Sequence, residues 1–175
     1  MRIACILASY FEDSEFRVPV DRLRAAGHEV VVVGARRGEQ LAGYHGKERI
    51  TVDQTIDQVG VAQFDGLLIP GGFSPDQLRL DPRFVAFVRA FSDEGKPIFA
   101  VCHGPQIMIT ADIVQGRTLT SWPTVQVDLR NAGANVVDRQ VVVDRNFVTS
   151  RKPADLDAFA QEILNYLGAG AGAHP

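Results

Sequence analysis

Cysteine is scarce in this 175-residue chain: there are two, Cys5 and Cys102, with no C-x-x-C pair and no disulfide framework. That usage suits a reducing cytoplasm. Positive charge is also lacking, since 18 Lys and Arg against 21 Asp and Glu leave a net charge of −3. No global basic field exists to hold nucleic acid or an anionic membrane surface. Nor is there an apolar run of about 18 residues, which excludes a spanning helix. The opening MRIACILASYFED carries one arginine and a short apolar run, then turns acidic. It reads as a first strand rather than a signal peptide. Internal repeats and linkers are absent too. What remains is an ordinary globular balance, expected to form one domain over residues 1–168. The GAGAGAHP end has no core-forming pattern, so residues 169–175 are set apart as a frayed tail.

The chain alternates strand and helix patterns. RIACILAS is an apolar run suited to a buried strand, and Phe16, Val20 and Leu23 then recur at helical spacing until Gly27. HEVVVVGA is β-branched, as a central parallel strand would be, and RITVDQTI alternates like a more exposed one. DGLLIPGG reads as strand and glycine turn. LDPRFVAFVRAFSDEGK predicts a helix capped by Asp81, with Pro82 in its first turn, Gly95 at its end and an apolar face of Phe84, Val85, Phe87, Val88 and Phe91. PIFAVC predicts a strand, PQIMITADIVQG a helix, TLTSW a short strand and VQVDLRNAG a helix. NVVDRQVVVDRNFVTS predicts two strands around Asp144-Arg145-Asn146, and ADLDAFAQEILNYLG a final amphipathic helix. The sum is an α/β sandwich on a mostly parallel sheet.

In such sheets ligands gather at the carboxyl ends of the strands. Cys102 stands there, between PIFAV and a helix beginning near Pro105. Ala100 and Gly104 flank it as the small residues flank the nucleophile in G-x-S-x-G, with sulfur in place of oxygen. A sharp strand-to-helix bend needs small flanks, and the positive end of a following helix favours the thiolate. The plain alternative is a buried core cysteine in a turn. Cys5, inside an apolar strand, reads as core packing. His103 is a candidate base, or a solvated turn histidine. Its backbone N–H, with Gly71 and Gly72 of the neighbouring glycine turn, offers donors for an oxyanion. The acids at the same edge are Glu12, Asp13, Glu15 and Asp76. A carboxylate pointing at sulfur would oppose thiolate formation, so Glu12 helps only if protonated and donating; otherwise it is a solvated loop carboxylate. No metal-ligand spacing occurs among these groups, and no cofactor is expected.

Taken together, FED at 11–13, IPGG at 69–72, AVCHGP at 100–105, TSWP at 120–123, DLRNAG at 128–133, VVVD at 141–144 and VTSRKP at 148–153 resemble the DJ-1/PfpI superfamily, in its PfpI-type intracellular protease and general stress protein branch. The resemblance implies a flavodoxin-like three-layer sandwich with a nucleophilic Cys102 on a strained elbow. It implies a protonated Glu12 beside the sulfur, His103 as catalytic partner and the backbone of Gly72 and His103 as oxyanion site. Asp76 matches the position of an acid that orients the histidine from a neighbouring subunit. A homodimer or higher homo-oligomer follows, and Asp76 is one methylene shorter than the glutamate many relatives carry there. Class I glutamine amidotransferases share the architecture but use a distant downstream histidine followed closely by glutamate, and the only histidine after His103 is His174.

Two functions from different classes fit. One is a cysteine-dependent hydrolase or lyase acting on small reactive carbonyls such as methylglyoxal, or on glycated or peptide substrates. The other is a redox-sensing or stress-protective protein whose Cys102 is oxidised with little turnover. A chaperone-like surface is a weaker third.

Overall fold

The computed structural model describes residues 1–168. The tail at 169–175 lies outside the described residues. Eleven strands are present among them: β1 Arg2–Ile6, β2 Glu29–Gly34, β3 Gln40–Ala42, β4 Arg49–Thr51, β5 Gln54–Thr55, β6 Gly66–Ile69, β7 Ile98–Val101, β8 Thr118–Leu119, β9 Asn135–Val136, β10 Val141–Asp144 and β11 Phe147–Ser150. The six α-helices are α1 Asp13–Ala25, α2 Ser74–Leu78, α3 Pro82–Asp93, α4 Pro105–Thr110, α5 Pro123–Asn131 and α6 Leu156–Gly168.

Seven strands form the main sheet in the order β10-β11-β7-β6-β1-β2-β5. Every neighbouring pair in it is parallel except β10 with β11. Helices cover both faces, giving the expected three-layer, flavodoxin-like sandwich. Phe84, Phe91, Met108 and Leu129 pack on one face of the sheet, and Phe16, Leu23, Phe159 and Ile163 on the other. Each such side chain, fully buried, contributes about 1.5–3 kcal/mol before entropy is subtracted.

Local chemistry explains most boundaries. The Asp81 carboxylate accepts from Arg83 N–H at 3.0 Å, Pro82 needs no partner at the first helical position, and Gly95 ends α3 at φ +66°. Arg145, at φ +52°, turns the β10–β11 hairpin where the sequence places it.

Three elements differ from expectation. NVVDRQVVVDRNFVTS forms not two strands but three, β9 pairing with β8 in a separate sheet. PQIMITADIVQG is helical only to Thr110, because Asp112 adopts φ +56° and Ile113 N–H turns back to Met108 O. RITVDQTI is not one strand but two, β4 and β5, in different sheets. Between them Val52 is buried, and Asp53 binds the edge of β2 by accepting from Val32 N–H at 2.8 Å while its own N–H donates to Val32 O at 3.0 Å.

The chain winds from β1 to β2 on one side and returns to β6 and β7 on the other. The crevice at the carboxyl ends of β1, β6 and β7 is therefore where this topology places a ligand.

Candidate active site

Cys102 follows β7 immediately and adopts φ +61°, in the left-handed region that costs a side-chain-bearing residue roughly 1–3 kcal/mol. Tertiary contacts hold it there. Its N–H donates to Ser150 O at 3.0 Å, and its carbonyl accepts from Trp122 N–H at 3.0 Å. The TSW and TSR segments thus fasten the elbow from two sides. Gly104 closes the bend, where a Cβ would lie 2.6 Å from Ile69 O. The residue is only 6% exposed, and the sulfur is reached through a cleft of about 580 Å³. By contrast, Cys5 is fully buried in the core beneath α1, and burial pushes its thiol far up, as the packing role expected for it requires.

The carboxyl beside the sulfur belongs to Glu15, not Glu12. Helix α1 begins at Asp13, two residues before Glu15, and turns Glu15 inward with Phe16, Pro19, Val20 and Leu23. Glu15 Oε2 accepts from Gly71 N–H at 2.8 Å, the carboxyl lies within hydrogen-bonding reach of Cys102, and Oε1 is buried with no hydrogen-bond partner. Burial raises its pKa to about 8, against the pull of the Cys102 and Gly71 hydrogen bonds. At neutral pH it is a carboxylic acid able to donate to sulfur. Glu12 instead stands at the N-terminal boundary of α1, where it accepts from Ser14 Oγ at 3.2 Å and meets His45 Nε2 at 3.0 Å. It lines the cleft from its rim. The physical reason is helical phase: Glu12 lies outside the helix, whereas Glu15 falls on its buried face.

Burial also pushes the Cys102 thiol up, and a charged Glu15 pushes the same way. The N–H groups of His103 and Gly72 oppose this by hydrogen-bonding the sulfur. A lowered thiol pKa, expected from the following helix, is therefore not what the pocket imposes. With Glu15 neutral its charge no longer opposes the thiolate, and three donors converge on one sulfur. Gly72 can present its N–H because it adopts φ +70°.

His103 Nδ1 lies 3.3 Å from Cys102 Sγ, and its ring stacks on Trp122 at a 6.0 Å centroid separation. Burial lowers its pKa, which keeps the imidazole neutral and able to accept a proton. Asp76 lies on the exposed rim of the same cleft and makes no hydrogen bond to His103 within the chain.

Sequence reasoning passed over the outer wall, formed by Tyr44 with His45 and Phe73. Tyr44 contacts both rings, at 5.1 Å and 5.6 Å between centroids. This wall is pinned by Asp13, whose carboxylate accepts from the N–H groups of His45, Lys47 and Glu48, each at 2.8 Å. Burial acts to raise the Asp13 pKa, but these hydrogen bonds outweigh it and hold the carboxyl below its ordinary value. A depressed carboxyl stabilises the fold above its unfolded pKa, and the contribution is lost as pH falls through the folded one. Asp13→Asn is expected to cost about 2 kcal/mol at pH 7 and to flatten the acid limb below about pH 4. Denaturant titrations at pH 7 and pH 3 measure both effects.

A thiol on a left-handed elbow at the carboxyl edge of a mostly parallel sheet defines a cysteine-elbow α/β sandwich. The match at the level of sequence is narrower. Residues 1–166 fit the DJ-1/PfpI family model, and the chain belongs to that family. It is 50% identical over 169 residues to protein/nucleic acid deglycase 2 of Escherichia coli (strain K12), covering 96% of this chain and 98% of that protein. It is also 50% identical over 167 residues to general stress protein 18 of Bacillus subtilis (strain 168), covering 95% and 97%. Among solved structures, a two-domain protein with DJ-1/ThiJ/PfpI-like and ferritin-like domains from Anabaena variabilis aligns with a TM-score of 0.94 at 40% identity. That alignment covers 99% of this chain and 50% of the larger protein. Drosophila melanogaster DJ-1beta aligns with a TM-score of 0.88 at 31% identity, over 95% of this chain and 89% of its own.

Proposed function

We propose that this protein is a stress-response enzyme that uses Cys102 to remove reactive carbonyls, either free dicarbonyls such as methylglyoxal or their adducts on amines and thiols. The observation that carries the reading is the convergence of Glu15 and the N–H groups of Gly72 and His103 on one sulfur at the base of a small cleft. A volume of about 580 Å³ suits a small molecule rather than an extended peptide. The relatives named deglycase and general stress protein support the same choice.

His103 Nδ1 takes the thiol proton as Sγ bonds to the carbonyl carbon, and the C=O electron pair moves onto oxygen, where backbone N–H groups stabilise it. With methylglyoxal, His103 returns its proton to that oxygen and a hemithioacetal results. His103 then removes the proton from the new C–S carbon while the hydroxyl proton on that carbon passes to the neighbouring carbonyl oxygen, giving an enediolate. His103 returns its proton to the former ketone carbon, leaving a thioester. Water then releases lactate and regenerates the thiol. With a hemiaminal, the C–S bond forms as the C–N bond breaks, and the proton held by His103 leaves on the amine.

In its own chain Asp76 makes no bond to His103, so its proposed part in orienting that ring requires a second copy, in a homodimer or larger homo-oligomer. Two unpaired cysteines suit a reducing, cytoplasmic setting, and among the described residues no helix is long and apolar enough to cross a membrane.

Lactate formation from methylglyoxal by wild type and Cys102→Ser tests the proposal. A loss of about 1000-fold or more is expected on replacing the nucleophile. Lactate production that survives the substitution sinks the reading. A wild type that makes none, yet gains oxygen on Cys102 in mild peroxide, favours the redox sensor that the same three donors would also serve.

A further inference from the structure

Among the described residues, four other than glycine adopt a positive φ. Cys102 forms the elbow, Asp112 follows the end of α4 and Arg145 turns a hairpin. Tyr10, at φ +62°, does none of these, and its side chain is 56% exposed, so core packing does not hold it there. Its backbone bonds do. Tyr10 N–H donates to Ala42 O at 2.7 Å, and Tyr10 O accepts from Phe73 N–H at 2.8 Å. The right-handed alternative lies roughly 120° away in φ. That rotation would swing the carbonyl off Phe73 while the N–H stayed on Ala42.

The bend lays residues 10–12 across the glycine turn. Phe11 pairs antiparallel with Gly72, and Glu12 N–H donates to Gly71 O at 3.4 Å. A Cβ on Gly72 would lie 2.5 Å from Glu12 N and 2.6 Å from Tyr10 O, so the two segments meet backbone to backbone. The consequence falls on one peptide plane. In a trans peptide the C=O and N–H point opposite ways. Holding Gly71 O toward Glu12 therefore aims Gly72 N–H away from it, to the side where it meets the Cys102 sulfur. Glycine on both sides of that peptide leaves little steric resistance to its turning over. A flipped plane would present the Gly71 carbonyl oxygen to sulfur in place of a donor.

We propose that Tyr10 is a positioning residue whose left-handed backbone latches the Gly71–Gly72 peptide, so that Gly72 N–H stays on the Cys102 sulfur. The inference rests on reading Cys102 as a reactive sulfur and holds whichever electrophile it attacks. The phenol has no part in it. A residue that accepts a positive φ serves at position 10, and one that refuses it does not.

Alkylation of Cys102 by iodoacetamide at pH 7 tests this without any turnover. Tyr10→Pro, with φ fixed near −65°, should react about 10- to 100-fold more slowly than wild type, because the thiolate loses one charge-assisted hydrogen bond. A cleft that had merely loosened would admit the reagent more readily and raise the rate. Tyr10→Asn, which accepts the left-handed region, should keep the wild-type rate to within about twofold. A folded Tyr10→Pro protein that alkylates as fast as wild type overturns the proposal. So does a Tyr10→Asn protein as slow as Tyr10→Pro, since the role would then belong to the phenol. If Tyr10→Pro fails to fold, the latch is cut from its other side. Phe73→Pro and Phe73→Ala both lose the ring, but only the first loses the N–H that Tyr10 accepts from, at a φ of −90° that proline nearly matches. Phe73→Pro should be the slower by the same factor, and equal rates overturn the proposal. Absence of lactate formation in wild type would instead count against the enzyme reading, whatever these rates show.

Discussion

Gly71→Ala abolishes turnover as completely as loss of the sulfur itself. An added methyl would lie 2.5 Å from Glu15 Oε2, 2.9 Å from Cys102 Cβ and 2.9 Å from the backbone nitrogen of His103. The acid can swing away only by giving up the Gly71 N–H that it accepts from at 2.8 Å. The cysteine cannot move without unmaking an elbow held by Ser150 and Trp122. One methyl therefore displaces the acid, the nucleophile and a donor at once. Misplacement of about 1 Å is worth some 100-fold in rate, so three coupled displacements should leave turnover below about one thousandth of wild type. Overpacking should also cost about 1–3 kcal/mol of stability. Wild-type turnover in a folded Gly71→Ala protein would show that this close approach has no part in the chemistry.

Glu15→Gln is expected to change the pH dependence of stability strongly between pH 4.5 and pH 8. The folded carboxyl titrates near 8 and an unfolded one near 4.5. A group whose pKa is raised by folding stabilises fully below its unfolded value and loses that contribution as pH rises through the folded one. Wild type should therefore weaken between pH 4.5 and pH 8, by about 5 kcal/mol at most for a shift of this size. The neutral amide has no such slope. The difference between the two proteins at pH 5 and pH 9, from urea titrations, isolates Glu15 from every group they share. Loss of the O–H donor should also slow alkylation of Cys102 at pH 7, by about 100-fold if the acid acts as a typical preorganised donor. Parallel stability curves would mean that Glu15 is charged in the native state.

The elbow was legible because it is a local object. A strand-forming run, a small residue on either side of Cys102 and Pro105 just beyond are adjacent in the chain, and the backbone carries out what they specify. The cap of α3 and the β10–β11 turn are local in the same sense. Glu15 was not, although a signal for it existed. Counted from Phe16, Val20 and Leu23, it stands at the edge of the apolar face, and α1, begun at Asp13, carries it inward while Glu12 stays outside the helix. Tyr44, His45 and Phe73 carried no such signal, because the wall they form depends on Asp13 reaching about thirty residues along the chain to three amides.

By itself the sequence determined the alternation of strands and helices, the parallel sandwich, and the bend that carries Cys102 to its carboxyl edge. These follow from side-chain period and backbone sterics acting over a few residues. Only the tertiary structure decided which acid is buried against the sulfur and whether it keeps its proton. Those outcomes depend on desolvation and on donors brought in by distant segments, and neither is a property of any stretch of chain taken alone.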